Sequence, residues 1–249
     1  KIVEVPPLAD EELAQAVAAV PQLTNALKHE SLKRLLRSPY LLDKAAQMDW
    51  SATEGLPSDE REFRRRCWGE VIRRNAAAAE GMPQRRERAF EEGALRRARQ
   101  LRPFVAAGDL DAGALEVLRA DSLIVASSEV SSMVAPGHDV LEDWAIIQWL
   151  EERWVLHEYA AGPLAEDVGG FPAIRRAYRK WLSELLRCET EAATDFVLSA
   201  FRNPALPGYF RDDTLVCTLQ SSSARDFLER HQEALFSDGS VLLVRVIHL

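Results

Sequence analysis

The sequence predicts a mainly α-helical protein. Long segments carry apolar residues at helical spacing, and prolines and glycines separate these segments as helix breakers do. The middle of the chain contains one candidate β-hairpin. The 249 residues are 47% hydrophobic and 28% charged, which is enough apolar material for one large or two modest globular units.

The first part of the chain predicts one short strand followed by short helices. Residues 2–5 alternate like a strand, and Pro6-Pro7 ends it before Asp10, which is placed to cap a helix that runs to residue 19. Further short helices are expected at 23–27, at 32–36 with Ser31 as the cap, and from Ser38-Pro39 to residue 48. The polar segment 51–59 is the first candidate domain boundary.

The middle of the chain predicts helices around a hairpin. Helices are expected at 62–79, 85–107 and 109–120. Strand-like runs at 122–126 and 131–135 form the hairpin, and a helix from Asp139 toward residue 161 follows. Helices that flank one small hairpin are typical of a winged-helix domain.

The last third predicts a helical scaffold. A second boundary is expected near Gly162-Pro163 or Gly169-Gly170. Helices at 173–187, 191–201 and 224–235 indicate a stack of repeat-like paired helices without a fixed repeat period. Residues 240–249 have the composition of a strand or of the first turns of a truncated helix. The residues at both ends of the chain predict that it is a segment of a longer protein.

Composition and charge narrow the class of protein. The net charge of −8, from 39 acids and 31 bases, argues against a protein whose whole surface binds nucleic acid or an anionic membrane. No signal peptide or apolar run of membrane-spanning length is evident. Cys67, Cys188 and Cys217 are widely spaced, which favours buried free thiols and a cytoplasmic protein over disulfides or a zinc site.

Catalysis within this chain is not expected. The sequence has no phosphate-loop motif and no spacing of serine or cysteine with histidine around a nucleophile turn. The acid pairs Glu142-Asp143 and Glu151-Glu152 point apart on a helix, so they do not form an acid–base pair. The sequence also predicts that His157-Glu158 is an ordinary surface pair.

Three segments together resemble the region after the nucleotide-binding core of NACHT-like STAND NTPases. They are VEVPPLADEEL at residues 3–13, LLRSPYLL at 35–42 and GHDVLEDW at 137–144. Their order is that of the family, and they span roughly residues 1–160. The last third is similar to the family only in being helical.

The resemblance implies a domain organisation. Residues 1–8 would be the last strand of an NTPase core that lies outside this chain, 9–54 a small helical domain, 55–162 a winged-helix domain, and 163–249 a helical arm or sensor. The fold class expected is therefore mainly α, with a helical bundle, a winged-helix domain with a small β-hairpin, and repeat-like paired helices.

The resemblance also implies a nucleotide switch. Pro39 matches a family proline that packs near adenine, and His138 matches a histidine that contacts the β-phosphate of ADP. The family often has an aromatic or apolar residue and then a variable one before this histidine, where this chain has Pro136-Gly137. ADP or ATP with Mg²⁺ would bind the complete protein, and no cofactor is expected in this chain alone.

Expected partners follow from the same resemblance. They are the protein's own N-terminal core, a protein trigger that binds the helical arm, and further copies of the complete protein when it is active.

Structural explanations compete at each of these residues. His138 could simply cap a helix, and Pro39 is also an ordinary first-turn proline. Trp144, Trp149 and Trp154 recur every five residues, which does not keep one helical face, so packing is expected of them rather than a ligand cage.

Two alternative functions remain open at this stage. A winged helix with arginine-rich helices between residues 61 and 102 could bind DNA phosphates. However, glutamates are interleaved with these arginines, which is typical of a solvated helix face with local ion pairs. The other alternative is a helical scaffold for protein interactions.

Overall fold

The computed structural model describes residues 6–51, 55–75, 81–188, 191–222 and 224–236. The chain is mainly helical with a small antiparallel sheet, which confirms the predicted fold class. It divides into two units. The first comprises residues 1–90 and 111–121, and the second comprises 91–110 and 122–249.

The first unit is built from short helices. They are α1 (Asp10–Ala19), α2 (Leu23–Ala26), α3 (Glu30–Leu35), α4 (Pro39–Ala46), α5 (Glu60–Cys67), the first half of α6 (Met82–Gln100) and α7 (Ala112–Ala120). Trp50 is fully buried among them and stacks on Phe63 at a centroid distance of 6.4 Å. Its indole N–H donates to the Ala45 carbonyl at 2.7 Å, so this large side chain is buried with its polar atom satisfied.

Two helix starts differ from the prediction. Asp10 is the first residue of α1 rather than its cap, and the Glu12 carboxylate accepts the Ala9 N–H at 2.7 Å. Asp10 instead pairs with Lys33 at 2.9 Å and Arg37 at 2.7 Å. Likewise, α3 begins at Glu30, and the Ser31 hydroxyl donates to the Ser58 carbonyl. Tertiary partners explain both differences, because they take the side chains that could have capped the helices.

The helix predicted at 62–79 changes its geometry and then stops. From Trp68 to Arg73 it continues as a π-helix, and Arg74 is left-handed with φ of 59°. The buried Arg86 guanidinium donates to the Ile72 carbonyl at 2.7 Å and the Val71 carbonyl at 3.0 Å. It thereby satisfies carbonyls in the π-helical turn. Residues 76–80 lie outside the described residues, as do the predicted strand at 2–5 and segment 240–249.

Asp111 is the N-cap of α7, and its contribution to stability depends on pH. Its carboxylate accepts the Ala114 N–H at 3.0 Å and pairs with Arg85 at 2.6 Å. The hydrogen bond with Arg85 is the main reason that the pKa of Asp111 is lowered to about 2.

We expect this carboxylate to stabilise the fold above its unfolded pKa of about 4. The contribution should be lost as the pH falls through about 2, because the depressed folded pKa marks where the native carboxylate becomes protonated. Asp111→Asn keeps a good cap but cannot titrate. The variant should therefore melt at a lower temperature than the wild type at about pH 6, and the two melting temperatures should be similar at about pH 2. An equal difference at both pH values would contradict this assignment.

The second unit contains the sheet. Strands β1 (Val105–Ala106), β2 (Ile124–Ala126) and β3 (Met133–Pro136) lie in the order β1-β3-β2, all antiparallel. Val105 is opposite Val134, and Ile124 is opposite Pro136. The predicted hairpin is confirmed as β2 and β3. Strand β1 was not predicted, because two residues are too few to show alternation.

The remaining helices surround an aromatic core. They are the second half of α6, α8 (Asp139–Leu156), α9 (Ala161–Val168), α10 (Pro172–Arg187), α11 (Glu191–Arg202), α12 (Gly208–Leu219) and α13 (Ala224–Phe236). Trp181 packs edge-to-face on Phe196 and Trp154 at 5.8 and 5.5 Å, and Phe210 stacks on Tyr178 at 4.7 Å. The prediction that Trp154 packs against neighbours is confirmed.

Several predicted helix limits in this unit are wrong. Helix α6 ends at Gln100 instead of 107, since Leu101 is left-handed with φ of 52° and Pro103 follows. Helix α8 ends at Leu156, because Glu158 and Tyr159 are also left-handed. Helix α9 has Gly162-Pro163 in its first turn, where the missing proline N–H costs little. Helix α12 was not predicted, because its buried face includes the polar residues Asp213, Thr214 and Thr218.

The three cysteines are free thiols. Cys67 and Cys217 are buried, and burial raises the pKa of Cys67 to about 12 and that of Cys217 to about 11. Cys188 is exposed at the end of α10, so the prediction of a buried thiol is wrong there. Within the described ranges, no helix has an apolar stretch of the length that a bilayer span needs.

Candidate functional site

His138 lies where the hairpin passes into α8. It is the N-cap residue, with extended backbone, and its ring Nδ1 accepts the Val140 N–H at 3.1 Å. A nitrogen that accepts a hydrogen bond carries no proton, so the neutral ring has its proton on Nε2. This ring therefore combines a capping acceptor with a hydrogen-bond donor on its opposite side. His138 therefore has a structural role as the N-cap of α8.

The backbone at Gly137, just before His138, lies close to the carbonyl groups of Ser122 and Leu123. Its N–H donates to the Leu123 carbonyl at 2.8 Å. A Cβ at this position would lie 2.8 Å from the Ser122 carbonyl oxygen and 3.2 Å from that of Leu123. Only glycine fits there without a backbone shift.

Gly137→Ala is expected to destabilise the second unit by about 1–3 kcal/mol, because the added methyl group must displace a backbone carbonyl. Gly108→Ala is the matched control, since a Cβ there meets no atom within 4 Å. Chemical denaturation followed by circular dichroism measures both. Equal stability of the two variants would show that the contact at Gly137 relaxes without cost.

Acids and arginines surround the start of α8. Arg97 donates to Asp139 at 3.2 Å and pairs with the buried Glu142, and Arg176 pairs with Asp143 at 2.6 Å. The hydrogen bond that Arg176 donates to Asp143 raises the pKa of Arg176. Together the two arginines compensate most of the negative charge of three acids. One net negative charge remains beside the first turn of α8, where the helix N-terminus itself stabilises acidic side chains.

Sequence reasoning missed these arginines as members of the site. Arg97 is 42 residues from Asp139, and Arg176 is 33 residues from Asp143. Pairs at such separations leave no local pattern.

Pro39 is the first residue of α4, in the first unit. Its side chain is exposed. Arg37, just before it, donates to the Leu8 carbonyl at 2.6 Å, and the Leu8 N–H donates to the Arg37 carbonyl at 2.8 Å. These bonds bring together two of the three segments that carry the family resemblance, the ones around Leu8 and around Pro39.

Most of the arginines that raised the DNA alternative have acidic or aromatic partners. The pairs are Arg66–Glu70, Arg73–Glu87, Arg74–Asp121, Arg85–Asp111, Arg86–Asp121, Arg96–Asp109 and Arg97–Glu142. Arg99 lies over the Trp149 ring at 5.5 Å. Phosphate binding would have to break these interactions, which disfavours a DNA-binding role for this set of side chains.

The pair His157-Glu158 also differs from the prediction. His157 follows α8 as its C-cap, and its Nε2 lies 2.7 Å from the Asp167 carboxylate, which Arg153 also binds at 2.6 Å. His157 is thus a partly buried connection to α9 rather than a surface residue, whereas Glu158 is exposed.

Comparison with known protein families matches no family model to this chain. Comparison with curated proteins likewise finds no significant match.

Proposed function

We propose that this chain is the regulatory part of a STAND-type, NACHT-like ATPase switch. A nucleotide-binding core outside these 249 residues would hold ADP or ATP with Mg²⁺. The winged-helix part would close over ADP, with His138 on the phosphate side and Pro39 near the base. Exchange for ATP would release this contact and allow the complete protein to self-associate.

The observation that carries the proposal is the hydrogen bonding of His138. Its Nδ1 accepts the Val140 N–H, so the imidazole ring is held at the N-terminus of an 18-residue helix. Helix N-termini favour phosphate groups, and neutral imidazole can donate to a phosphate oxygen.

The chemistry of the bound nucleotide belongs to the core. This chain would hold the resting state closed, and its arginines would offset the acids beside His138. The second unit's helical arm would receive the trigger.

His138→Ala in the protein that includes the core is expected to weaken ADP retention and raise basal activity. The ADP dissociation rate, followed with a fluorescent nucleotide, measures this directly. An unchanged dissociation rate would remove His138 from the nucleotide site.

A further inference from the structure

A hollow in the second unit lies between the turn after α8 and the first turns of α11. Its volume is about 470 Å³. The buried Phe196 contributes to its lining, and the Tyr159 ring, 47% exposed, lies beside it. We refer to this feature as the α8–α11 hollow.

Carboxylates surround the hollow. Glu158, Glu191 and Asp195 line it, and all three are exposed. Among the described residues that line it, none is basic. The negative charge of these acids therefore favours a cationic group in the hollow.

An exposed apolar surface adjoins these acids. Val155 and Leu156, in the last turn of α8, are 58% and 67% exposed. With Tyr159, they place three large apolar side chains within one short segment. Single exposed apolar residues are ordinary, but such a group next to a charged rim is typical of an interaction surface.

The turn displays its side chains at a conformational cost. Glu158 and Tyr159 are both left-handed, with φ of 51° and 67°, in a helix C-terminal turn where glycine is favoured. The Tyr159 ring packs edge-to-face on Trp154 at a centroid distance of 4.7 Å. The ring is therefore held in place, with part of it exposed next to the acids.

We propose that the α8–α11 hollow is a docking surface for a partner protein that inserts an arginine side chain. The guanidinium would lie among Glu158, Glu191 and Asp195 and stack on the Tyr159 ring, as planar guanidinium groups do on aromatic faces. Apolar residues next to that arginine would cover Val155 and Leu156. Only one part of this proposal rests on the proposed function, namely that the partner protein is the trigger of the switch.

Fluorescence anisotropy with the 249-residue chain tests the docking surface without nucleotide. The probe is a short labelled peptide in which arginines are flanked by leucines, and the reference peptide has glutamate in place of arginine. The arginine peptide is expected to bind saturably and the glutamate peptide is not. The double variant Glu191→Gln with Asp195→Asn should weaken binding about tenfold, because an exposed ion pair contributes up to about fivefold.

A second double variant controls for net charge. Glu116→Gln with Glu166→Gln removes two exposed acids outside the hollow and should leave the affinity within about twofold. Glu158→Gly removes the third carboxylate at a left-handed position that suits glycine. This variant should keep the fold, or even stabilise it, while it weakens binding of the arginine peptide. Absence of saturable binding, equal binding of both peptides, or equal weakening by the two double variants would overturn the proposal. None of these results would affect the ADP assay with His138 variants.

Discussion

Arg86→Leu is expected to destabilise the first unit by about 3 kcal/mol. Arg86 is 1% exposed and pairs with Asp121 at 2.7 Å, while it also donates to the Val71 and Ile72 carbonyls. Leucine replaces part of the side-chain volume but leaves two carbonyls without this charged donor. Hydrogen bonds to charged groups and the unsatisfied buried acceptors each contribute about 1–3 kcal/mol. Asp121 keeps Arg74 as a partner at 2.7 Å, which limits the loss.

Hydrogen exchange of residues 60–75 together with chemical denaturation measures the effect. Exchange in the π-helical turn should rise with the loss of stability, because Arg86 no longer binds its carbonyls. Arg88→Leu is the control, since Arg88 is exposed on the same helix, and its change should stay within about 0.5 kcal/mol. If Arg86→Leu costs no more than Arg88→Leu, the buried arginine does not hold this turn.

The proposed nucleotide switch predicts that the His138→Asp variant of the complete protein releases ADP roughly ten- to hundredfold faster than the wild type. Aspartate caps a helix well, because its carboxylate can accept the Val140 N–H. It lacks the Nε2 donor and adds a negative charge that phosphate would repel. Loss of a hydrogen bond to a charged group corresponds to about 1.5–3 kcal/mol, which gives this range of rates.

His138→Asn separates the two roles of this residue. Asparagine keeps a capping oxygen and retains N–H donors, so ADP release should be slower than from the His138→Asp protein. Both variants should unfold within about 0.5 kcal/mol of the wild type, because the cap is preserved. Loss of stability without faster ADP release would leave His138 with a purely structural role.

The fold was predictable where apolar periodicity and local signals agree. Helix α10 has a clear apolar face and was predicted at 173–187, within one residue of its observed start. The hairpin was likewise evident from its two runs of strand-like residues. The ends of α6 and α8 were not predictable, because leucine, glutamate and tyrosine rarely adopt the left-handed backbone that ends these helices.

The candidate site was predictable only in part. His138 was recognisable as a helix start, and its capping role follows from the residue order. The roles of Gly137, Arg97 and Arg176 depend on contacts with distant parts of the chain. Local patterns do not encode such contacts, and the position of Ser122 opposite Gly137 depends on the register of the hairpin.

The central claim is that this chain regulates a nucleotide-binding core. Sequencing the reading frame upstream of Lys1 tests that claim most directly. We predict a phosphate-loop motif and an acidic strand within about two to three hundred residues, the length of one nucleotide-binding domain. A complete reading frame without them would contradict the account, because His138 would then have no nucleotide to contact.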